Sequence, residues 1–271
     1  MNGILERTLG ILELLAAQGE GMELAAIADR LNIPRSAVHR LLADLVRCGY
    51  VRQNRDHGEY MLTTKLVSLG LSFLGNTGIV DVAQPLLDRL AEISGELVRL
   101  SVVDGNRLTW VARAQGARQG LRYDPDMGSD ARISCSSSGH AWLSALSDEE
   151  ALALVAQQGL GTPDEFGPNA PTSLQALLEQ VHAARARGFS MTRDTYTPGL
   201  SAMAAPVRLP GQPPMGMISI AGPSARFTEE RMLALAPQLL DIASQMAAAS
   251  RASPFFNRRP QAVGRQPIYA P

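Results

Sequence analysis

The chain has 271 residues and a formal net charge of −1 at pH 7. That length allows two domains, each with its own core, and the near-neutral charge excludes a protein that binds polyanions through bulk charge. No apolar run reaches the roughly 18 residues of a membrane span, and no signal-peptide pattern is present. The two cysteines, Cys48 and Cys135, lie far apart in sequence, which fits a reducing compartment. We therefore expect a cytoplasmic protein without a membrane partner.

The amino-terminal stretch predicts three helices. Leu5, Leu9, Leu12 and Leu15 indicate a first helix whose apolar stripe can cover the next two. Two more apolar repeats follow at helical spacing, on either side of a break: Leu24, Ile27, Ala28 and Leu31, then Val38, Leu41, Leu42 and Leu45. This arrangement is typical of a helix-turn-helix.

The residues in the break favour that interpretation. Asn32 can end the second helix in a left-handed conformation, because asparagine tolerates positive φ. Pro34 suits the first position of the third helix, where its missing N–H would have no partner in any case. Cys48, near the end of the third helix, is expected to be a small buried residue.

Burial of the third helix's apolar side turns a small, polar and basic surface outward. Between residues 35 and 55 the chain has five arginines against Asp44 alone, so DNA phosphates would attract this surface. For a single arginine, a solvated surface would be the better explanation, and the DNA-binding interpretation depends on the combination of helix, turn and basic hairpin. We expect DNA contacts from Arg35, Ser36, His39, Arg40, Arg47, Arg52 and Arg55.

A hairpin after the third helix completes the first domain. Residues 50–54 and 59–63 predict two short strands, and Asp56-His57-Gly58 between them favours a tight reversal. A basic hairpin directly after a recognition helix is a wing, with Arg52, Arg55 and His57 at or near its tip. Residues 1–63 are therefore predicted to form a winged helix-turn-helix domain whose partner is double-stranded DNA.

A connecting helix is predicted over residues 64–76, with Thr63 or Thr64 as its cap. Its apolar side has no partner within so small a domain, so we expect it to pack against its copy in a homodimer.

The second domain, predicted over residues 77–252, is α+β. Helices at both ends flank strands that read as antiparallel, which indicates a central sheet in a sensory domain. Residues 115–132 should be largely loop, with a short strand possible at 121–123, and residues 253–271 should be a mobile tail rich in proline and arginine. The predicted helices are 80–93, a helix after Ser136–Ser138, one after Ser147, 174–187 and 227–250, and the strands are 96–103, 107–114, 189–193, 201–209 and 215–221.

Several stretches resemble the IclR family of bacterial transcription regulators. They are IPRSAVHRLL at 33–42, GHAWL at 139–143, RGF at 187–189, PGLSAMAAPV at 198–207 and SIAGPSAR at 219–226. The resemblance covers residues 4 to about 250. It implies a winged helix-turn-helix joined to a GAF-like effector domain, and a repressor-type regulator that acts on operator DNA as a dimer or a dimer of dimers.

The resemblance also implies an effector site over the sheet of the second domain. Carried over by position, the site would use Ser136, Ser137, Thr192, Leu200, Ala202, Ser219 and Ala221. Free N–H groups and the positive end of a helix dipole after Ser136 favour a carboxylate, although these serines could simply cap the helix.

This chain departs from the family pattern, which has an acid at Thr192, a cysteine at Ala202 and a serine at Ala221, and often a further acid at Thr195. The smaller, less polar wall predicts an organic acid, aromatic acids included, that is bulkier or more apolar than a two- or three-carbon oxoacid. Such an effector would control a catabolic operon.

Two other classes of protein remain as alternatives. Ser138 and His140 could form the nucleophile and base of a hydrolase, but the sequence lacks a G-x-S-x-G elbow, a P-loop and a dinucleotide fingerprint. A ligand-independent DNA-binding protein is the second alternative. We expect no cofactor, and no metal site either, since Cys135 and His140 fall short of four ligands.

Overall fold

The structure, a computed structural model, describes residues 3–54, 58–77, 79–125, 128–161 and 165–249. The chain divides into two compact units, and the boundary between them in the sequence falls between Asn76 and Thr77. Within the described residues, no helix combines the length and the apolar character needed to cross a bilayer.

The first unit contains a helix-turn-helix followed by a two-stranded hairpin. Val51 pairs with Leu62 and Gln53 with Tyr60, so the two strands are antiparallel, as a wing requires. The bounds are α1 (Ile4–Ala16), α2 (Leu24–Leu31), α3 (Arg35–Arg47), β1 (Val51–Gln53), β2 (Tyr60–Leu62) and then α4 (Lys65–Thr77).

The turn between α2 and α3 has the predicted backbone. Asn32 lies in the left-handed region, with φ 52° and ψ 49°, and its N–H closes the last turn of α2. Pro34 is one position earlier than predicted: with ψ 136° it is the N-cap residue, and α3 begins at Arg35. Val38 and Leu42 are fully buried on the inner side of α3, which fixes the outward direction of its polar side.

The apolar stripe predicted for α1 was wrong in its first half. Leu5 and Leu9 are 72% and 47% exposed, whereas Ile11 and Leu15 are buried against α2 and the hairpin. Because each residue advances 100° around a helix, Ile11 and Leu15 lie on a different side of α1 from Leu5 and Leu9. The core takes the side that contains Ile11, and the other apolar side is left exposed.

The second unit is a five-stranded antiparallel sheet with helices on both faces. The strands lie in the order β4-β3-β7-β6-β5, so β4 and β5 are the edges. The strand bounds are β3 (Leu97–Asp104), β4 (Arg107–Gln115), β5 (Ser190–Arg193), β6 (Leu200–Val207) and β7 (Gly216–Pro223), and the helix bounds are α5 (Ile79–Ser94), α6 (Ser137–Ser144), α7 (Asp148–Gln158), α8 (Leu174–Arg187) and α9 (Glu229–Ala249).

Two cores lie on opposite faces of this sheet. Val98 and Leu100 pack with Phe227 in the core covered by α5 and α9. Trp110 packs with Trp142 in the core on the α6 side. Because side chains alternate along a strand, Arg99, which lies between Val98 and Leu100, belongs to the α6 side.

Three other sequence expectations have different outcomes. Residues 121–123 form no strand, since they lie in the connection after β4. The helix over 80–93 is predicted from the apolar repeat Val80, Ala83, Leu87, Leu90 and Ile93, but Ile93 is 45% exposed. Arg55, His57 and the tail at 253–271 lie outside the described residues.

Candidate functional site

The outer side of α3 is the candidate DNA-binding surface. Its predicted contact residues Arg35, Ser36, His39 and Arg40 are all exposed on that side. The helix has no acid in its first turn, and Arg35 and Arg40 have no acidic partner among the described residues. These two guanidinium groups are therefore free to pair with phosphate or base edges.

Two further predicted contacts are exposed but differently placed. Arg47 pairs with Asp44 through an Nη2 to Oδ1 distance of 2.9 Å, and this hydrogen bond raises the pKa of Arg47 above its ordinary value. Arg47 would have to give up that partner to contact DNA. Arg52 lies on β1 of the wing and is exposed.

The start of α6 is the first element of a candidate ligand site. Ser136 is the N-cap, and its Oγ accepts a hydrogen bond from the Gly139 N–H at 3.0 Å. The backbone N–H groups of Ser137 and Ser138 have no acceptor among the hydrogen bonds of the described residues. Capping thus engages one hydroxyl and leaves two backbone donors at the positive end of the helix dipole.

Gly139 allows α6 to begin this close to the preceding loop. A Cβ at position 139 would overlap the Cα and carbonyl oxygen of Ile133. The backbone of residue 133 therefore fixes where the first turn of α6, and with it the pair of free N–H groups, can lie.

A narrow cavity lies between the start of α6 and the sheet. About 10 Å³ of it can hold the centre of a water molecule, which is room for roughly one water. The lining residues are Arg99, Trp110, Ser136, Ser137, Ser138, Thr192, Thr195, Tyr196, Leu200, Ala202 and Ala221.

Six of the seven predicted effector residues lie together in this lining. The seventh, Ser219, is buried on β7 but does not line the cavity, and its Oγ donates to the carbonyl oxygen of Arg99 at 3.5 Å. The threonine hydroxyls in the lining already donate to backbone: Thr195 to Cys135 O at 2.7 Å and Thr192 to Ala202 O at 3.4 Å. The residues next to them, Leu200, Ala202 and Ala221, form a small apolar cluster.

Arg99 is the lining residue that sequence reasoning missed. Its side chain is buried, with the residue only 6% exposed, and the guanidinium carbon lies 3.9 Å from the centroid of the Trp110 ring. Nε and Nη1 are buried without a hydrogen-bond partner among the described residues. Burial lowers the pKa of this guanidinium, and the charge interaction and side-chain hydrogen bond with Tyr123 partly offset that effect.

A sequence signal for Arg99 existed. It is the one charged residue within residues 97–103, an otherwise apolar or small stretch predicted as a strand. A strand with few polar residues is buried on both faces, so an arginine in its middle has to be a buried cation that needs a partner.

The hydrolase alternative does not match the geometry. His140 is fully enclosed, and its Nε2 lies 2.8 Å from the Ser134 carbonyl oxygen. Since a carbonyl only accepts, Nε2 carries the proton there, and burial lowers the pKa of this imidazole. The ring is therefore held by backbone, and the hydrogen bonds of the described residues include none between this ring and the Ser138 hydroxyl. No group of three metal-ligating side chains occurs in the described part of the chain.

The two cysteines should differ sharply in reactivity. Cys135 is buried, and burial raises the pKa of its thiol to about 12, so its reactive thiolate is scarce at neutral pH. Cys48 is exposed, contrary to expectation, because it follows the last residue of α3. Iodoacetamide should label Cys48 in the native protein and Cys135 only in denaturant, as counted by mass spectrometry. Native labelling of a Cys48→Ala variant would contradict this assignment.

A winged helix-turn-helix unit joined to a second unit with an enclosed cavity over its sheet defines a transcription regulator with a sensor domain. The chain belongs to the IclR family of such regulators. The family models "Bacterial transcriptional regulator IclR C-terminal" and "IclR helix-turn-helix domain" match residues 71–248 and 4–55. Since its relatives are transcription regulators, the chain is a regulator of this type and not an enzyme.

Similarity to known proteins extends over nearly the whole chain. The HTH-type transcriptional repressor AllR of Escherichia coli (strain K12) is 27% identical over 245 residues, which cover 90% of this chain and 89% of that repressor. The IclR of Thermotoga maritima has the same fold, with a TM-score of 0.71 at 21% identity over 90% of this chain and 97% of its own. An IclR homologue from Microbacterium hydrocarbonoxydans, solved in complex with 4-hydroxybenzoate, has a TM-score of 0.76 at 22% identity over 93% of this chain and 100% of its own.

Proposed function

We propose that the protein represses a catabolic operon, and that an organic acid bound between α6 and the sheet controls its affinity for operator DNA. One observation carries this proposal: a single chain combines an exposed basic surface on α3 with an enclosed cavity lined by free N–H donors. The basic surface suits phosphate and base edges, and the free donors suit a carboxylate.

On the DNA side, the proposed contacts are those of the outer surface of α3 and the wing. The amino-terminal half of α3 would enter the major groove, as recognition helices do, and the hairpin would contact the adjacent backbone. The residues concerned are Arg35, Ser36, His39, Arg40, Arg47, Arg52 and Arg55.

On the sensor side, the carboxylate would lie at the free N–H groups of Ser137 and Ser138. The apolar wall formed by Leu200, Ala202 and Ala221 favours an effector bulkier or more apolar than a two- or three-carbon oxoacid. The 4-hydroxybenzoate-bound homologue is consistent with an aromatic acid in this fold. Since the cavity has room for about one water, such an acid requires lining side chains to move.

The active form would be a homodimer or a dimer of dimers. Two helices of the first unit expose apolar side chains that its own core leaves uncovered: Ile4, Leu5 and Leu9 on α1, and Val67, Leu69 and Leu71 on α4. Apolar surface of this extent is typical of an interface. A two-fold partner would cover it and would place two recognition helices on successive major grooves.

The test is a mobility-shift titration on the intergenic DNA beside the gene, with and without carboxylates. We expect an aromatic or branched acid to weaken DNA binding at least tenfold, and isothermal titration to show that acid binding the protein. Tight binding of glyoxylate or pyruvate and of nothing larger would contradict the size prediction. Operator affinity that no acid changes would favour a ligand-independent DNA-binding protein.

A further inference from the structure

We propose that Arg99 pairs with the carboxylate of the effector, so that the effector is a monocarboxylate with an apolar body. This inference rests on the proposed function, since it assumes that the cavity beside α6 is the effector site. The inference names the residue that selects for a negatively charged ligand. This residue, Arg99, lies on the sheet and not on α6.

The first argument is that the Arg99 cation is only partly paired. Two of its three nitrogens, Nε and Nη1, are buried without a partner among the described residues. A buried charge normally requires a counter-charge or a full set of hydrogen bonds. The nearby ionisable groups that act on it are Tyr123, which also shares a side-chain hydrogen bond with it, Tyr196 and Arg113, and none of these is a carboxylate.

The second argument is the excess of donors around the cavity. Besides Arg99, the indole Nε1 of Trp110 is buried without an acceptor, and the N–H groups of Ser137 and Ser138 are free within the described hydrogen-bond network. All four residues line the cavity. An anion with several acceptor oxygens satisfies such a set, whereas a cation or an aliphatic ligand satisfies none of it.

The position of the guanidinium explains how the cation can stay buried in the ligand-free protein. Its guanidinium carbon lies over the Trp110 ring, 3.9 Å from the centroid, and a cation over an indole face is attracted by the ring quadrupole. This contact offsets part of the desolvation cost and holds the side chain in the cavity. A carboxylate could then join the guanidinium edge while the face stays on the ring.

The rest of the lining indicates what the carboxylate is attached to. Leu200, Ala202 and Ala221 cluster with the half-buried rings of Tyr123 and Tyr196. These side chains offer an apolar wall and aromatic faces. The lining holds a single arginine and no lysine, so a second carboxylate on the ligand would have no cation to pair with. Monocarboxylates are therefore favoured over dicarboxylates of the same size.

The experiment compares Arg99→Gln with wild type against matched acid and amide pairs. The probes are benzoate and benzamide, phenylacetate and phenylacetamide, and 4-hydroxybenzoate and 4-hydroxybenzamide, titrated calorimetrically into the full-length protein. Wild type should prefer the acid at least tenfold in one or more pairs. Arg99→Gln should lose about 10- to 100-fold in affinity for that acid, the range expected for charge-assisted hydrogen bonds, and none for its amide.

Two further variants separate ligand binding from folding. Arg208→Gln removes an exposed arginine elsewhere in the same unit, and its affinity for the acid should equal that of wild type. Arg99→Lys keeps the charge, so it should regain part of the affinity that Arg99→Gln loses. Without ligand, Arg99→Gln should melt no lower than wild type, because it removes a desolvated charge, and a clearly lower melting temperature would assign Arg99 a structural role instead.

The remaining outcomes overturn the inference in distinguishable ways. If an acid binds Arg99→Gln as tightly as it binds wild type, the proposal of an organic-acid effector is kept and the proposed role of Arg99 is rejected. If terephthalate binds more tightly than benzoate, the monocarboxylate class falls. If no acid in the panel binds wild type at millimolar concentration, both this inference and the proposed function fail.

Discussion

Replacing Arg35 and Arg40 together with alanine should weaken operator binding by roughly a hundredfold or more, from about 1–3 kcal/mol for each arginine contact. Both side chains are exposed on the outer side of α3 and have no acidic partner among the described residues. Their full charge is therefore available to DNA. A mobility-shift titration on the intergenic DNA beside the gene measures the loss.

Arg47→Ala is the matched control on the same helix. Arg47 already pairs with Asp44 at 2.9 Å, and it would lose this ion pair on contact with DNA. Arg47→Ala should therefore weaken operator binding less than the double variant does. Each phosphate contact removed should also lower the slope of log affinity against log salt by about one. If the double variant binds as tightly as wild type, residues 35 and 40 are not in the interface.

The first unit was accessible to sequence reasoning because its signals are local. A left-handed asparagine, a proline beside it and apolar residues at helical spacing lie within about 20 residues of one another, and each acts through its own backbone. Asn32 and Val38 accordingly have the conformation and burial that the pattern predicted. Pro34 was misplaced by one position, because sequence patterns place helix ends only to within one or two residues.

The side of α1 that faces the core could not be read from its own sequence. Leu15 belongs to two overlapping apolar stripes: the predicted one, with Leu5 and Leu9, and a second one, with Ile11. Which stripe is buried depends on where α2 and the hairpin lie, which is long-range information. The same reason applies to Ile93, which belongs to an apolar repeat and yet is 45% exposed.

Only part of the candidate cavity was predicted from the sequence, because the rest of its lining also depends on long-range information. Seven positions, the two serines at the start of α6 and five residues of β5, β6 and β7, were found through resemblance to a family, and six of them line the cavity. Arg99 lies on β3 and Trp110 on β4, the two strands at the opposite edge of the sheet from β5. Their approach to α6 depends on strand order and on the bulge in the β3 and β4 pairing next to Ser101, which single-sequence patterns do not report.

Gly139→Ala should destabilise the second unit by about 3 kcal/mol, at the upper end of what overpacking typically costs. The new methyl group would overlap the Cα and carbonyl oxygen of Ile133. Backbone cannot rotate away as a flexible side chain can, so α6 has to shift. Urea unfolding followed by circular dichroism measures the loss.

The same shift should remove the response to the effector. The free N–H groups of Ser137 and Ser138 lie in the turn that Gly139 fixes, so moving α6 moves both donors away from any carboxylate held at the sheet. Calorimetry on the folded variant should therefore show at least a tenfold loss of acid affinity, because charge-assisted hydrogen bonds depend steeply on distance and angle.

Gly211→Ala is the control that distinguishes the steric overlap at position 139 from the backbone strain of replacing a glycine that has positive φ. Gly211 has φ 71° in the connection between β6 and β7, and a Cβ there would meet no atom within 4 Å. Its substitution should cost only about 1–2 kcal/mol, the penalty of a left-handed conformation, and should leave acid affinity unchanged. If the two variants lose equal stability and both keep wild-type acid affinity, the contact between Gly139 and Ile133 does not position the site, and α6 tolerates displacement without consequence for binding.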